Sequence, residues 1–146
     1  MLNGQIQSVL DGKSEGCIVQ GDCQPILADM PEKRVDLVLT DPPYGIGAYA
    51  NGTMGAGVLA KQSTYKATTW DTKPMTPGQS GECMRVGKEQ MFFGGNYFVL
   101  PPSSCWIVWD KNNGNNNFAD CELVWTSYKT AIRLVKWKWQ GMLQEA

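Results

Sequence analysis

The stretch "VDLVLTDPPYGIG", Val35–Gly47, begins as an apolar strand and changes abruptly to an acid, two prolines and a tyrosine. The continuous apolar run Val35–Thr40 is typical of a parallel strand that is covered on both faces. In open α/β sheets, ligands bind beyond the carboxyl ends of the strands. The sequence therefore predicts a functional turn, Asp41–Tyr44, at the end of a central parallel strand.

The residues upstream complete a strand-helix-strand unit. Cys17–Gln20 is a short apolar run that predicts a first strand, and Cys23–Met30 predicts the crossover helix that leads to Val35–Thr40. Because such crossovers are right-handed and place the helix on one face of the sheet, the sequence predicts a layered α/β fold.

The segments downstream continue the alternation of elements. Residues 45–80 are rich in Gly, Thr, Ser and Lys and predict a long mobile loop, which in a compact domain is usually functional or disordered. The later predictions are a helix near Ser80–Lys88, an apolar run Met91–Gly95, and strands at Cys105–Asp110, Glu122–Ser127 and Ile132–Trp139.

Length and composition limit the architecture. A chain of 146 residues with 42% apolar and 18% charged residues predicts one folded domain, residues 1–146. The net charge of -1 excludes binding of nucleic acid through overall charge, so any contact needs a local patch. With no run of about 18 apolar residues and no basic leader, we expect a cytoplasmic protein with no membrane partner.

The cysteine and histidine contents limit the kinds of catalytic site, metal site and disulfide that the chain can form. The chain has no histidine, which excludes Ser-His-Asp and Cys-His catalysis and histidine-rich metal sites, so no metal is expected. Five cysteines without a C-x-x-C pair argue against a disulfide framework, and we expect reduced, buried thiols.

The residue types of the turn are suited to binding one chemical group, an exocyclic amine on a flat ring. Pro42 and Pro43 fix two consecutive φ angles and provide no N–H, so they hold the flanking groups rigidly. The Asp41 carboxylate and the Pro42 carbonyl can accept both protons of an exocyclic amine while Tyr44 stacks on its ring. A purely structural turn is the alternative for Asp41 and Tyr44.

In the turn Asp41–Tyr44 the sequence resembles the amino-group DNA methyltransferases, whose signature tetrapeptide is Asp-Pro-Pro-Tyr. The resemblance implies methyl transfer from S-adenosylmethionine to adenine N6, with Asp41, Pro42, Pro43 and Tyr44 as the catalytic residues. Cytosine N4 is the less expected target, because it is more often associated with Ser-initiated versions of the motif.

The resemblance extends over most of the chain. "GDC", Gly21–Cys23, is similar to a segment that helps to hold the cofactor, which implies cofactor contacts for Asp22 and Asp41. Further blocks resemble the branch of the family that places its catalytic half first: Phe92–Phe98, Trp106–Lys111 and Phe118–Ser127. The implied fold is a partial Rossmann-like methyltransferase sheet.

The family's glycine-rich cofactor loop should follow a further strand, and the sequence ends at Ala146 before such a loop. We therefore expect a sheet truncated before that loop, and an isolated chain that is inactive and binds S-adenosylmethionine weakly or not at all. "GAGVLA", Gly55–Ala60, formally fits G-x-G-x-x-A, but it does not follow a strand and is expected to be a decoy.

Several other residues have both a functional and a structural interpretation. Asp22 could cap the helix that begins at Cys23, and Asn96 could be a turn residue that tolerates positive φ. Lys136 and Lys138 could face DNA, but alternating lysines more often protect an edge strand, which is the interpretation we favour. Tyr65, Lys66 and Trp70 in the long loop are candidates for closing over a flipped base or for simple mobility.

The functional prediction is the catalytic half of a site-specific DNA adenine-N6 methyltransferase, of the kind found in restriction-modification, acting on double-stranded DNA with a flipped adenine. Two alternatives remain open. One is a non-catalytic remnant or nucleic-acid-binding domain. The other is a half that needs a partner chain, either a complementing C-terminal half or a second copy in a homodimer.

Overall fold

The computed structural model describes residues 3–47, 53–54, 63–64, 69–112, 119–140 and 143–144. The helices are α1 (Gly4–Leu10), α2 (Cys23–Asp29) and α3 (Pro77–Val86), with a 3-10 turn at Gly95–Tyr97. The strands are β1 (Val35–Thr40), β2 (Thr53–Met54), β3 (Ser63–Thr64), β4 (Gly87–Phe93), β5 (Trp106–Asp110), β6 (Cys121–Thr126), β7 (Arg133–Lys136), β8 (Trp139–Gln140) and β9 (Leu143–Gln144).

The main sheet has five strands in the order β1-β4-β6-β5-β7. Strand β1 runs parallel to β4, and β5 runs parallel to β7, whereas β6 is antiparallel to both of its neighbours. The strands other than β6 therefore share one direction, and their carboxyl ends lie at one edge of the sheet. The α/β class is confirmed, but the sheet is mixed and not all-parallel. The short strands form two separate pairs, β2-β3 and β8-β9.

The first predicted strand, Cys17–Gln20, is wrong. This segment is irregular, and its Ile18 side chain is 96% exposed. A four-residue run provides little apolar surface to bury, and no strand within the described ranges lies beside it. Among those ranges β1 is consequently an edge strand, not a central one, and Leu37 and Leu39 are 40% and 59% exposed.

The helix predicted at Cys23–Met30 is confirmed as α2, with its end one residue earlier than expected, but its predicted role as a crossover between two strands is wrong, because no strand precedes it in the described part of the chain. Helix α3 begins at Pro77, not near Ser80, because Thr76 caps it: the Gln79 amide donates to Thr76 Oγ1 at 3.3 Å and the Thr76 amide donates to Gln79 Oε1 at 2.8 Å. The prediction that this helix continues to Lys88 is wrong, since Gly87 already pairs with Val35 in the sheet.

The three later strand predictions are confirmed with small shifts at their ends, although Ile132–Trp139 contains the shorter strand β7. Part of the segment predicted as a long loop, residues 45–80, lies outside the described residues. The described part contains β2, β3 and the start of α3.

The core lies between α3 and the centre of the sheet. Phe92 and Trp125, on adjacent strands, stack with ring centroids 5.4 Å apart, and Phe92 is fully buried. Met75 and Cys83 complete this cluster. Since β4 and β6 contribute its two rings, the core fixes the strands whose ends carry the candidate site.

The prediction of buried thiols is only partly correct. All five cysteines are free, and Cys83 and Cys105 are buried, but Cys17, Cys23 and Cys121 are exposed. None of the helices in the described part of the chain is both long and apolar enough to cross a bilayer.

Candidate active site at the carboxyl-terminal edge of the sheet

Residues from four strands meet at one edge of the sheet. The turn Asp41–Tyr44 follows β1, Gly94 follows β4, and Lys111 follows β5. Glu122 comes from the start of β6, which begins at this edge because β6 runs in the opposite direction. The sheet topology therefore brings together residues that are up to about 80 positions apart in the sequence.

The turn is held by a residue that the sequence did not single out. Asp71 is 4% exposed, and its Oδ1 accepts hydrogen bonds from the amides of Tyr44 at 2.7 Å and Gly45 at 3.0 Å. The Pro43 carbonyl accepts a hydrogen bond from the Met75 amide at 3.1 Å. Through these hydrogen bonds, Asp71 and Met75 fix the backbone of the turn.

The Tyr44 ring lies in an aromatic cluster. It stacks on Tyr97 with centroids 4.8 Å apart and an interplanar angle of 10°, and Phe98 lies tilted at 6.0 Å. Gly94 has a φ of 65°, and a Cβ at this position would lie 2.2 Å from Tyr44 Cε1. Only glycine at residue 94 accommodates both the left-handed backbone and the Tyr44 ring.

The Tyr44 hydroxyl lies between two carboxylates. It is 2.6 Å from Asp41 Oδ1 and 3.2 Å from Glu122 Oε1. On its far side Glu122 forms an ion pair with Lys111, with Oε2 and Nζ 3.0 Å apart. Burial, followed by the hydrogen bond to Asp41 and the charge of Glu122, raises the pKa of Tyr44 far above its usual value, so this phenol is a hydrogen-bond donor and not a base.

Two acceptors of the turn remain open. The Asp41 side chain is exposed, and no described residue donates to its Oδ2 or to the Pro42 carbonyl. The Pro43 carbonyl, in contrast, is already occupied by the Met75 amide. The arrangement can therefore accept two hydrogen bonds from one donor group, and these are the two acceptors expected from the sequence.

Asp22 immediately precedes helix α2. Its Oδ1 accepts a hydrogen bond from the Gln24 amide at 3.0 Å, so the capping interpretation is confirmed. Asn96 lies in the 3-10 turn, but the prediction that it tolerates positive φ is wrong, because Gly94 adopts that conformation.

The predicted edge position of Lys136 is confirmed, since β7 is an outer strand of the sheet. Its Nζ lies 4.0 Å from Asp110 Oδ2. Trp70 is 54% exposed. The candidates Tyr65 and Lys66 and the segment Gly55–Ala60 lie outside the described residues.

Sequence reasoning missed Asp71, Tyr97, Lys111 and Glu122. Lys111 and Glu122 stand at the ends of predicted strands, but their proximity to the turn follows from the antiparallel pairing of β5 with β6, which places Glu122 opposite Trp109 and which the sequence did not indicate. Asp71 had no sequence signal, since it follows a segment without periodicity.

Two cavities, of about 360 and 340 Å³, share Pro101, Pro102 and Ser103 in their linings. Trp125 lines both, with Trp106 in the first and Tyr128 in the second. Neither is lined by Asp22, Asp41 or Tyr44. The first cavity is nevertheless lined by Phe98, whose ring centroid lies 6.0 Å from that of Tyr44, so this cavity adjoins the aromatic cluster of the turn.

Comparison of the chain with protein-family models, with curated proteins and with solved structures found no match. The functional conclusions below accordingly depend on the residues and geometry of this chain, and on the resemblance of its Asp-Pro-Pro-Tyr motif.

Proposed function

We propose that this chain carries the target-amine site of an S-adenosylmethionine-dependent DNA methyltransferase that modifies adenine N6. One observation carries the proposal: Asp41–Tyr44 follows β1 at the carboxyl-terminal edge of the sheet, with the Asp41 carboxylate exposed. This is where open α/β sheets bind ligands. A Rossmann-like methyltransferase arrangement of the sheet is part of the same proposal.

The open acceptors support an amine as the bound group. An exocyclic amine has two N–H groups, and the Asp41 carboxylate and the Pro42 carbonyl provide one acceptor for each. Because Pro42 and Pro43 restrict the backbone, these acceptors are held in place before the substrate arrives. The Pro43 carbonyl already accepts the Met75 amide, whereas no described residue donates to the Pro42 carbonyl, so Pro42 is the carbonyl assigned to the amine.

These acceptors would act mainly in the transition state. The lone pair of an adenine amine is delocalised into the ring, so the nitrogen is a poor nucleophile. Positive charge develops on this nitrogen as it takes up the methyl group, and preorganised acceptors at Asp41 and Pro42 stabilise that charge. Loss of one such group typically costs about 10²- to 10³-fold in rate.

The proposed DNA partner must present the adenine outside its helix, since the amine cannot reach Asp41 within a base stack. Stacking on Tyr44 would offset part of the unpairing cost. One face of the Tyr44 ring is already covered by Tyr97, which is 46% exposed. A base that stacks on this face must displace the Tyr97 ring.

No contact described around Asp22 identifies a site for the methyl donor. Asp22 uses Oδ1 as a helix cap, and the two cavities described above are lined by neither Asp22 nor Asp41. S-adenosylmethionine is therefore proposed from the resemblance alone, and the roles given above to Asp41, Pro42 and Tyr44 concern only the amine.

The test is transfer of tritiated methyl groups from S-adenosylmethionine to adenine in DNA by the full-length protein and its Asp41→Ala variant. We expect a loss of at least 10²- to 10³-fold in turnover, with thermal unfolding and DNA affinity close to wild type. Asp36→Ala is the matched control, because it removes an exposed aspartate from β1, the strand that leads into Asp41. This control should methylate normally.

Three outcomes would contradict the proposal. They are a wild-type protein that stays inactive even in its full-length form with any complementing chain supplied, undiminished transfer by Asp41→Ala, and an equal loss in Asp36→Ala. DNA binding without methyl transfer by the wild type would instead support the non-catalytic nucleic-acid-binding alternative.

A further inference from the structure

The Tyr44 hydroxyl has one proton and two carboxylate acceptors. Asp41 Oδ1 lies at 2.6 Å and Glu122 Oε1 at 3.2 Å, so Asp41 accepts the stronger bond in this conformation. The same proton can be directed to Glu122 with a small rotation of the C–O–H group, because the oxygen is already within hydrogen-bond distance of both acceptors.

Glu122 is held in place for this second bond. Lys111 Nζ lies 3.0 Å from Glu122 Oε2, and the two side chains are only 18% and 21% exposed. Lys111 Nζ also lies 5.3 Å from the centroid of the Trp109 ring, and the Lys111 amide bonds to the Asp120 carbonyl. One Glu122 oxygen is thus occupied by the cation, while the other faces Tyr44.

The hydrogen bond from Tyr44 has a cost for the proposed chemistry. It occupies Asp41 Oδ1 and withdraws negative charge from the carboxylate, which weakens Asp41 as an acceptor for an amine. In the absence of an alternative partner, release of Asp41 would leave a partly buried hydroxyl without a hydrogen bond. Glu122 provides that alternative partner at 3.2 Å.

We propose that Glu122 is a positioning residue that accepts the Tyr44 hydroxyl proton when a target amine binds Asp41, and that Lys111 holds Glu122 in the orientation for this exchange. The inference rests on the proposed function of Asp41, and it adds to the site two residues outside the Asp-Pro-Pro-Tyr motif. No bond to the transferred methyl group is assigned to Glu122 or Lys111.

A double-mutant cycle in turnover tests the exchange, using the full-length wild type, Tyr44→Phe, Glu122→Gln and the double variant. A neutral amide oxygen is a weaker acceptor than a carboxylate, so we expect Glu122→Gln alone to lower kcat about tenfold, with KM little changed. Tyr44→Phe removes the hydroxyl that occupies Asp41 and keeps the ring. In this background, Glu122→Gln should have no further effect on kcat.

Glu89→Gln is the matched control, since Glu89 is a half-buried carboxylate that bonds to Ser127 and not to Tyr44. It should leave kcat unchanged in both backgrounds. A purely structural role for Glu122 predicts equal losses with and without the Tyr44 hydroxyl, and this result would overturn the inference.

A second measurement needs no methyl transfer. With 13C-labelled tyrosine, the Cζ chemical shift of Tyr44 at neutral pH should differ between Glu122→Gln and wild type, because a carboxylate acceptor next to the phenol has become a weaker, neutral one. Glu89→Gln should leave this chemical shift unchanged. An unaltered Tyr44 Cζ shift in Glu122→Gln would overturn the inference.

The two proposals fail differently. Normal methylation by Asp41→Ala would refute the proposed function. If Asp41→Ala is inactive but Glu122→Gln slows Tyr44→Phe as much as it slows wild type, only the role of Glu122 is refuted.

Discussion

The buried carboxylate of Asp71 holds the backbone of Tyr44. A single oxygen, Oδ1, lies 2.7 Å from the Tyr44 amide nitrogen and 3.0 Å from that of Gly45. The partners Asp71 and Tyr44 are 27 positions apart in the sequence. The conformation of the Asp-Pro-Pro-Tyr turn thus depends on a distant residue as well as on its own prolines.

The first prediction concerns this anchor. Asp71→Ala should lower the free energy of unfolding by about 2–3 kcal/mol, because two partly buried amides lose a charged acceptor. Asp71→Asn should lower the free energy of unfolding less, since its side-chain amide oxygen can still accept hydrogen bonds from the backbone. Urea denaturation measures both values, and Asp36→Ala should change the midpoint little because Asp36 is exposed. Unchanged stability of Asp71→Ala would show that the turn is held in another way.

A second prediction concerns Gly94. Gly94→Ala should destabilise the protein and displace the Tyr44 ring, because its Cβ would lie 2.2 Å from Cε1 and its φ of 65° disfavours alanine. The matched control is Gly81→Ala, a helical position with no atom within 4 Å of an added Cβ, which should stabilise α3. Thermal unfolding and the Tyr44 ring resonances measure the two effects. Equal stability of the two variants would contradict the packing of Tyr44 on Gly94.

A third prediction concerns thiol reactivity. Alkylation followed by peptide mass mapping should modify Cys17, Cys23 and Cys121 quickly and Cys83 and Cys105 slowly in the folded protein. At Cys83, burial also raises the pKa of the thiol, so less of the reactive thiolate is present at a given pH. Alkylation in urea is the control, in which all five cysteines should react quickly. Fast modification of Cys83 in the folded protein would be inconsistent with this burial.

The elements that could be predicted from sequence have local signals. The apolar run of β1, the polar stop before it and the compact helix α2 are all encoded within about 25 residues, and each is present in the structure. The same local pattern also predicts that Asp41–Tyr44 directly follows the carboxyl end of β1. The edge location of β1 was not predictable, because strand order depends on which distant segments pair.

The supporting contacts of the site had weaker signals. Glu122 reaches Tyr44 only because β6 runs antiparallel to β4 and β5, and strand direction is not encoded in an apolar run. Asp71 is a single acid after a segment without periodicity, and its partners are backbone amides, which leave no pattern in sequence. The motif could therefore be identified from the sequence, whereas the residues that orient it could be identified only from the tertiary structure.

The contact between α2 and α3 contains the ion pair used for the last prediction. Arg85 donates to the carbonyls of Leu27 at 2.6 Å and Met30 at 2.7 Å, near the carboxyl end of α2. Glu82 orients this guanidinium, with Oε2 and Nη2 2.7 Å apart. The hydrogen bond and charge of Arg85 hold the pKa of Glu82 below its usual value of 4.5.

The last prediction is that Glu82→Gln destabilises the protein at neutral pH but not in acid. Because the pKa of Glu82 is lower in the folded state, its ionised form contributes stability above the unfolded value of 4.5, and this contribution disappears as pH falls through the folded pKa. Urea unfolding of wild type and Glu82→Gln from pH 7 to pH 3 should give two stabilities that differ at pH 7 and converge below pH 4.5. In an Arg85→Met background, which lacks the cation, this pH-dependent part of the difference should be absent. A constant difference across the pH range would mean that Glu82 contributes through packing and not through its charge.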